Sequence, residues 1–225
     1  MTSPNSPPPP LPFRCPLAGL TAVRHGQSTA NVAFATDSPL PPDLTDPEVP
    51  LTPLGVTQSE ALGRLLASSP VPDLVLASPF LRTRQTWGAM SAAAGRLGAS
   101  LPPLLTDERL RDRDLGRYSL LTPSALRARD PRARPGDWFY RPPGGESFAD
   151  VSLRVRNFLT ELGTAAQGRD VLLITHDAVI VSVHRVLLGL GAPPPDTAPV
   201  PNASRTHWTG TGGHLVLARW AATTG

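Results

Sequence analysis

Short apolar runs recur along the chain between longer stretches in which apolar side chains return every three or four residues. The runs at 20–23, 74–77, 171–175 and 214–220 have strand length and strand composition. Thr52 followed by Pro53 reads as a helix start, a capping hydroxyl with proline in the first turn. Leu54, Ala61, Leu62, Leu65 and Leu66 form its apolar stripe. A second helix is expected over 81–97. A third opens at Ser147, where Asp150 completes a capping-box spacing and Phe148, Val151, Val155, Phe158, Leu159 and Leu162 repeat at helical intervals. Strand, helix, strand, helix order predicts an α/β sandwich with a mostly parallel sheet. Catalytic groups then belong at the carboxyl ends of strands.

Three stretches break this rhythm. Residues 1–16 are rich in Pro and Ser and read as an extended tail that cannot join a sheet, leaving 17–225 as a single domain. Residues 32–50 and 110–145, rich in Pro, Asp and Arg, read as long excursions of the kind that shape a substrate site.

Composition narrows the chemistry. All 21 basic residues among the 225 are arginine. The missing lysine removes the Walker-type phosphate loop, the Schiff-base enzymes and the haloacid-type phosphatases, each of which needs a particular lysine amine. One cysteine, Cys15, cannot form an internal disulfide. No apolar run reaches the length of a membrane span, and residues 1–12 lack the basic start and apolar core of a signal peptide. A soluble, cytoplasmic protein is expected. The net charge is +3, and the nine arginines between Arg109 and Arg141 are interleaved with Asp107, Glu108, Asp112, Asp114, Asp130 and Asp137. Mixed charge of this kind is a solvated or salt-bridged face and does not predict nucleic-acid binding. No H-E-x-x-H type of ligand pair occurs, so no metal is expected.

Two of the five histidines occupy similar places. His25 and His176 each follow an apolar strand, on the edge where active sites of this architecture form. Arg24 precedes His25, and Arg82 lies just past the strand at 74–77. A neutral histidine among guanidinium groups resists protonation and keeps a ring nitrogen free to attack, while the arginines bind phosphoryl oxygens.

The segment Arg24-His25-Gly26-Gln27-Ser28-Thr29-Ala30-Asn31 resembles the signature of the histidine phosphatase superfamily, the phosphoglycerate mutase-like proteins. Further matches follow in order at 51–58, 78–86, around Glu108, at Pro143-Gly144-Gly145-Glu146-Ser147 and at 173–176. The resemblance implies a three-layer α/β sandwich and catalysis through a phosphohistidine, with no cofactor. By that resemblance His25 attacks phosphorus, and Arg24, Arg82 and His176 complete the phosphate pocket. Gln27, Ser28 and Asn31 lie on the substrate side, and Glu108 is the acid that protonates the departing oxygen and then activates water. Asp107 is the adjacent rival. Asp112-Arg113-Asp114, by contrast, follows no apolar strand and reads as loop charge.

The second histidine of the family is usually followed by glycine, and here Asp177 stands in its place. It is expected to cap the next helix, with a contact to the phosphate pocket as the alternative. Mutases of the family carry a Glu-Arg-His-Tyr-Gly segment and lysine-bearing motifs that this chain lacks. The stretches 109–118 and 137–154 look most like the broad-range acid phosphatase branch. The expectation is a phosphomonoesterase acting on a small phosphorylated substrate. A cofactor-dependent phosphoglycerate mutase and a non-catalytic phosphoryl-ligand-binding protein are the alternatives.

Overall fold

A computed structural model describes residues 11–190 and 199–224. Among these residues six strands form one sheet: β1 (Gly19–Arg24), β2 (Leu74–Ala77), β3 (Leu104–Thr106), β4 (Asp170–Thr175), β5 (Arg205–Thr211) and β6 (His214–Ala222). Their order is β3-β2-β4-β1-β5-β6. The first four are mutually parallel, and β5 and β6 add to the β1 side in antiparallel fashion. The sheet is thus mixed, with its parallel part at the centre.

Central parallel strands bury both faces, which is why β4 reads as an almost unbroken apolar run. Alternate residues feed two cores. Leu20, Ala22, Val171 and Leu173 face α5 (Phe148–Ala165) and α6 (Asp177–Leu187), meeting Val155, Phe158, Val179 and Ile180. Val23, Val75, Leu172 and Ile174 face the opposite layer, meeting Leu62 of α2 (Pro53–Ala67) and Trp87 and Met90 of α3 (Leu81–Gly95). Each such large apolar side chain contributes about 1.5–3 kcal/mol by leaving water. Three layers result, as the sequence leads one to expect.

The predicted caps are present. Thr52 Oγ1 accepts from the Gly55 N–H, and Ser147 and Asp150 form a reciprocal capping box at the start of α5. The expected stripe of α2 is narrower than predicted: Leu62 is buried, whereas Leu54 is 52% exposed. The second helix ends at Gly95, two residues short of the expected Leu97.

The N-terminal segment needs a correction. Leu11 exchanges both backbone hydrogen bonds with Leu190, and Arg14 bridges His214. Cys15 is fully buried in the core beside α5, and burial pushes its thiol pKa up to about 11. Residues 11–16 therefore pack against the domain, and the proline run at 7–10 lies outside the described residues. Short helices α1 (Thr29–Ala35), which runs into the first excursion, and α4 (Pro123–Arg129), within the second, interrupt these stretches. Among the described residues no helix is long and apolar enough to cross a membrane.

Candidate active site

Three neighbouring strands, β1, β4 and β2, end at the same edge, and the first residues beyond them meet. The His25 N–H donates to the Thr175 carbonyl, the Ser78 N–H to the Ile174 carbonyl, and His176 Nε2 lies 2.9 Å from Ser78 Oγ. The His25 and His176 rings stand edge to face with centroids 5.2 Å apart. Backbone pairing in the sheet thus aligns two side chains that are 151 positions apart in the chain.

His25 is 3% exposed, and its Nδ1 lies 2.8 Å from the Gly26 carbonyl oxygen, so Nδ1 carries the proton and Nε2 keeps its lone pair. Burial, followed by the fields of His176, Arg82 and Arg24, holds its pKa well below the ordinary histidine value. The ring is therefore neutral at neutral pH. His176 is fully buried, and burial lowers its pKa too, against the opposing pull of Asp112.

The pocket of about 280 Å³ in front of His25 is walled by Arg24, Arg82, Ser28, Asn31, Asp46, Asp112 and the start of α6, among others. Arg82 is buried and forks between Asp46 Oδ1 at 2.9 Å and Asp112 Oδ2 at 2.9 Å. Arg24 donates to the Val200 carbonyl and lies 3.2 Å from Asp177 Oδ2. Among the described residues, Arg24 Nε and His176 Nδ1 are buried with no aligned hydrogen-bond acceptor, although Asp112 Oδ2 lies 3.3 Å from the latter. Two guanidinium groups, unsatisfied donors and a helix N-terminus around one small cavity form a place for a tetrahedral anion.

Not every expected residue points there. Gln27 turns away: its Oε1 accepts from Thr52 Oγ1 and its backbone bonds to Thr52 and Gln58, so it ties the His25 loop to α2. Ser28 and Asn31 do wall the pocket, but chiefly as a capping box for α1, with Asn31 Oδ1 also accepting from Asn202. The Ser-x-x-Asn spacing carries that signal in the sequence. Asp177 is the first residue of α6, with His176 as the cap, and its carboxylate accepts from the Ala178 N–H while pairing with Arg24. Asp177 is therefore not the expected cap, and it touches the pocket through Arg24.

Glu108 lies outside the pocket. It is exposed at the start of a short 3-10 turn and faces a separate outer cavity. Asp107, its rival, is committed to Arg109. Asp112 instead occupies the pocket, against Arg82 and His176. Burial works to raise its pKa, but the fields of His176 and Arg82, 3.3 Å and 2.9 Å away, prevail and hold it well below the usual carboxylate range. Its companion Asp46 is pushed up by burial, partly offset by Arg82. The residues missed from sequence are thus Asp112, Asp46, Ser78 and Asn202. For Asp112 a signal existed: Asp112-Arg113-Asp114-Leu115-Gly116 keeps the acid, the arginine and the glycine of the Glu-Arg-His-Tyr-Gly segment at the same spacing.

Among the described residues no cluster of three or more His, Cys, Asp and Glu side chains is placed to hold a metal ion. The pattern of the histidine phosphatase superfamily (branch 1) matches residues 20–223. A glucosyl-3-phosphoglycerate phosphatase of Mycolicibacterium vanbaalenii is 31% identical over 206 residues, 87% of this chain and 84% of that protein. A 2,3-bisphosphoglycerate-dependent phosphoglycerate mutase of Methylobacterium radiotolerans is 32% identical over 178 residues, 76% of this chain and 79% of the mutase. The solved structure of a mycobacterial glucosyl-3-phosphoglycerate phosphatase complexed with VO3 superposes with a TM-score of 0.75 at 28% identity, covering 92% of this chain and all of that one. These relatives bear phosphatase and mutase names, and none of the three is named as a broad-range acid phosphatase. The matched pattern covers nearly the whole domain, and the chain belongs to the histidine phosphatase superfamily.

Proposed function

We propose that the protein is a phosphomonoesterase that hydrolyses small phosphate monoesters through a phosphohistidine on His25. The observation that carries this reading is the neutral, buried His25 with Nε2 free, facing a pocket set with Arg24 and Arg82, with the His176 ring packed edge-on against it. A phosphate dianion repels an anionic nucleophile, whereas a neutral imidazole between guanidinium groups approaches it without that penalty.

In the first step Nε2 attacks phosphorus and the ester P–O bond breaks. Asp112 delivers a proton to the departing alkoxide. In the second step water attacks phosphorus, the P–N bond breaks, and Asp112 takes the proton from that water. Arg82 and His176 hold Asp112 ionised. An incoming dianion competes for both, and its own charge raises the carboxyl pKa, so binding loads the acid with the proton it needs.

The pocket's architecture also serves a mutase, and relatives of that name are present. Release of phosphate from p-nitrophenyl phosphate supports the phosphatase. Isomerisation of phosphoglycerate that depends on added bisphosphoglycerate, with negligible phosphate release, contradicts it. Whether the enzyme has the wide substrate range of the broad-range acid phosphatases is answered by the same assay run on a panel of esters.

A further inference from the structure

The leaving group of the ester must sit outside the phosphate pocket, and one cavity is placed to receive it. This outer cavity, about 950 Å³, shares Asp46, Asp112, Ser119 and Leu120 as common wall with the pocket before His25. Both excursions build it. Prolines at 39, 41, 42 and 47 stiffen one side, and Leu40, Leu44, Phe80 and Leu121 give it apolar surface.

Its charge is one-sided. The carboxylates of Asp37, Glu108 and Asp114 line it, beside Asp46 and Asp112, which Arg82 balances, and the only cationic side chain among the described lining residues is Arg111. Arg111 is taken: its guanidinium lies 3.0 Å from Glu146 Oε1, itself held 2.9 Å from Arg154. Asp37 and Asp114 accept the backbone N–H groups of Ser124 and Gly116, bonds that leave their charge in place. The Glu108 carboxylate has no hydrogen-bond or ion-pair partner among the described residues and is left to the cavity.

A second observation marks the cavity as shaped. Asp37 and Leu120, both in its wall, hold φ at 51° and 58°. Aspartate tolerates this left-handed region, but for leucine it costs about 1–2 kcal/mol. Leu120 lies where the outer cavity joins the phosphate pocket, and Asp37 lines the outer cavity alone.

We infer that the physiological substrate is the phosphate monoester of an alcohol carrying no anionic group, with a neutral polyol or amino alcohol accepted and a carboxylate excluded. This rests on the phosphatase reading above and narrows its substrate class. It sets the chain apart from the relatives named for glucosyl-3-phosphoglycerate and phosphoglycerate, in which the phosphorylated unit bears a carboxylate. Two like charges ~8 Å apart at an effective dielectric of about 30 lose about a factor of ten, and a carboxylate in this cavity meets several.

Two matched pairs of esters test it on the whole chain. Glycerol 3-phosphate and 3-phosphoglycerate differ in a hydroxymethyl against a carboxylate, and O-phosphoethanolamine and phosphoglycolate in an aminomethyl against a carboxylate. The expected kcat/KM is at least about tenfold higher for the first member of each pair. Glu108→Arg should narrow the preference for glycerol 3-phosphate over 3-phosphoglycerate by about fivefold or more. Hydrolysis of p-nitrophenyl phosphate together with equal or reversed preference in the pairs, or a preference unmoved by Glu108→Arg, overturns this inference alone. No turnover of any ester overturns the phosphatase reading and takes the inference with it.

Discussion

Asp112 Oδ2 lies 2.9 Å from an Arg82 guanidinium nitrogen, and the same oxygen is 3.3 Å from His176 Nδ1. One carboxylate oxygen thus occupies donors that a phosphoryl group needs. On the proposed mechanism a bound phosphoryl group takes the place of this oxygen on Arg82.

Asp112→Asn should slow hydrolysis of an alkyl phosphate by about 10²–10⁴-fold. On p-nitrophenyl phosphate, whose leaving group needs little protonation, the loss should be at least tenfold smaller (about one Brønsted decade). Glu108→Gln should cost far less than Asp112→Asn on both esters. If the alkyl phosphate is lost in Glu108→Gln and retained in Asp112→Asn, the acid has been misplaced.

The preference for Asp112 over Glu108 shows what the sequence could and could not convey. The apolar runs of β1, β2 and β4 and the capping signals at Thr52 and Ser147 are local, and they place His25, Arg24, Arg82 and His176 at the sheet edge without any structure. Which acid enters the pocket depends on how the chain leaves β3, a three-residue strand with Leu105 facing solvent. Nothing in local hydropathy marks that path. Strand β5 was equally hidden, because in Arg-Thr-His-Trp-Thr-Gly-Thr only Trp208 among the large apolar types turns inward. Gln27 misled for another reason: its neighbours in the motif face the pocket, but its own side chain bonds to Thr52.

Phosphate affinity should depend on pH in a direction the site dictates. A dianion on Arg82 raises the pKa of Asp112, and also those of His25 and His176, all of which are depressed in the empty site. The complex therefore binds more protons than the free enzyme, and affinity increases as pH falls. Inhibition by inorganic phosphate, expressed per dianion so that the ligand's own protonation is removed, should tighten as pH falls below about 6.5, the ordinary histidine pKa. A flat profile would contradict this.

Folding stability should follow the two buried histidines. Their folded pKa values lie below the unfolded value near 6.5, so their contribution is complete above about pH 6.5 and is lost as pH falls toward the folded values. The loss amounts to at most about 1.4 kcal/mol per pH unit per histidine. The melting temperature should be lower at pH 5.5 than at pH 7.5, and His25→Asn should flatten that dependence. An unchanged dependence in the variant would mean that His25 is protonated when folded.

Asp177 is expected to weaken phosphate binding by pairing with Arg24 and by occupying the Ala178 N–H at the helix start. Because its side chain is 46% exposed, the pair is worth little, so Asp177→Asn should tighten phosphate inhibition by no more than about fivefold. Weaker inhibition in the variant would show that the carboxylate helps to order the site.

The loop that carries His25 is set by two glycines in contact. A Cβ at Gly55 would lie 2.1 Å from the Gln27 carbonyl oxygen, and one at Gly26 would lie 2.3 Å from that of Gly55. Gly55→Ala should cost about 1–3 kcal/mol and lower kcat, since relief of the clash moves the residues next to His25. Gly88→Ala, on an open face of α3 with nothing within 4 Å, should instead stabilise by up to about 1 kcal/mol without loss of activity.

The covalent intermediate is the centre of the mechanism, and acid-labile phosphate on the chain reports it. Rapid quenching during turnover, followed by mapping of the label, should find phosphate on His25 that survives alkali, is released by acid, and is absent from His25→Ala. Turnover with no labelled protein, or label that persists in His25→Ala, would contradict catalysis through this histidine.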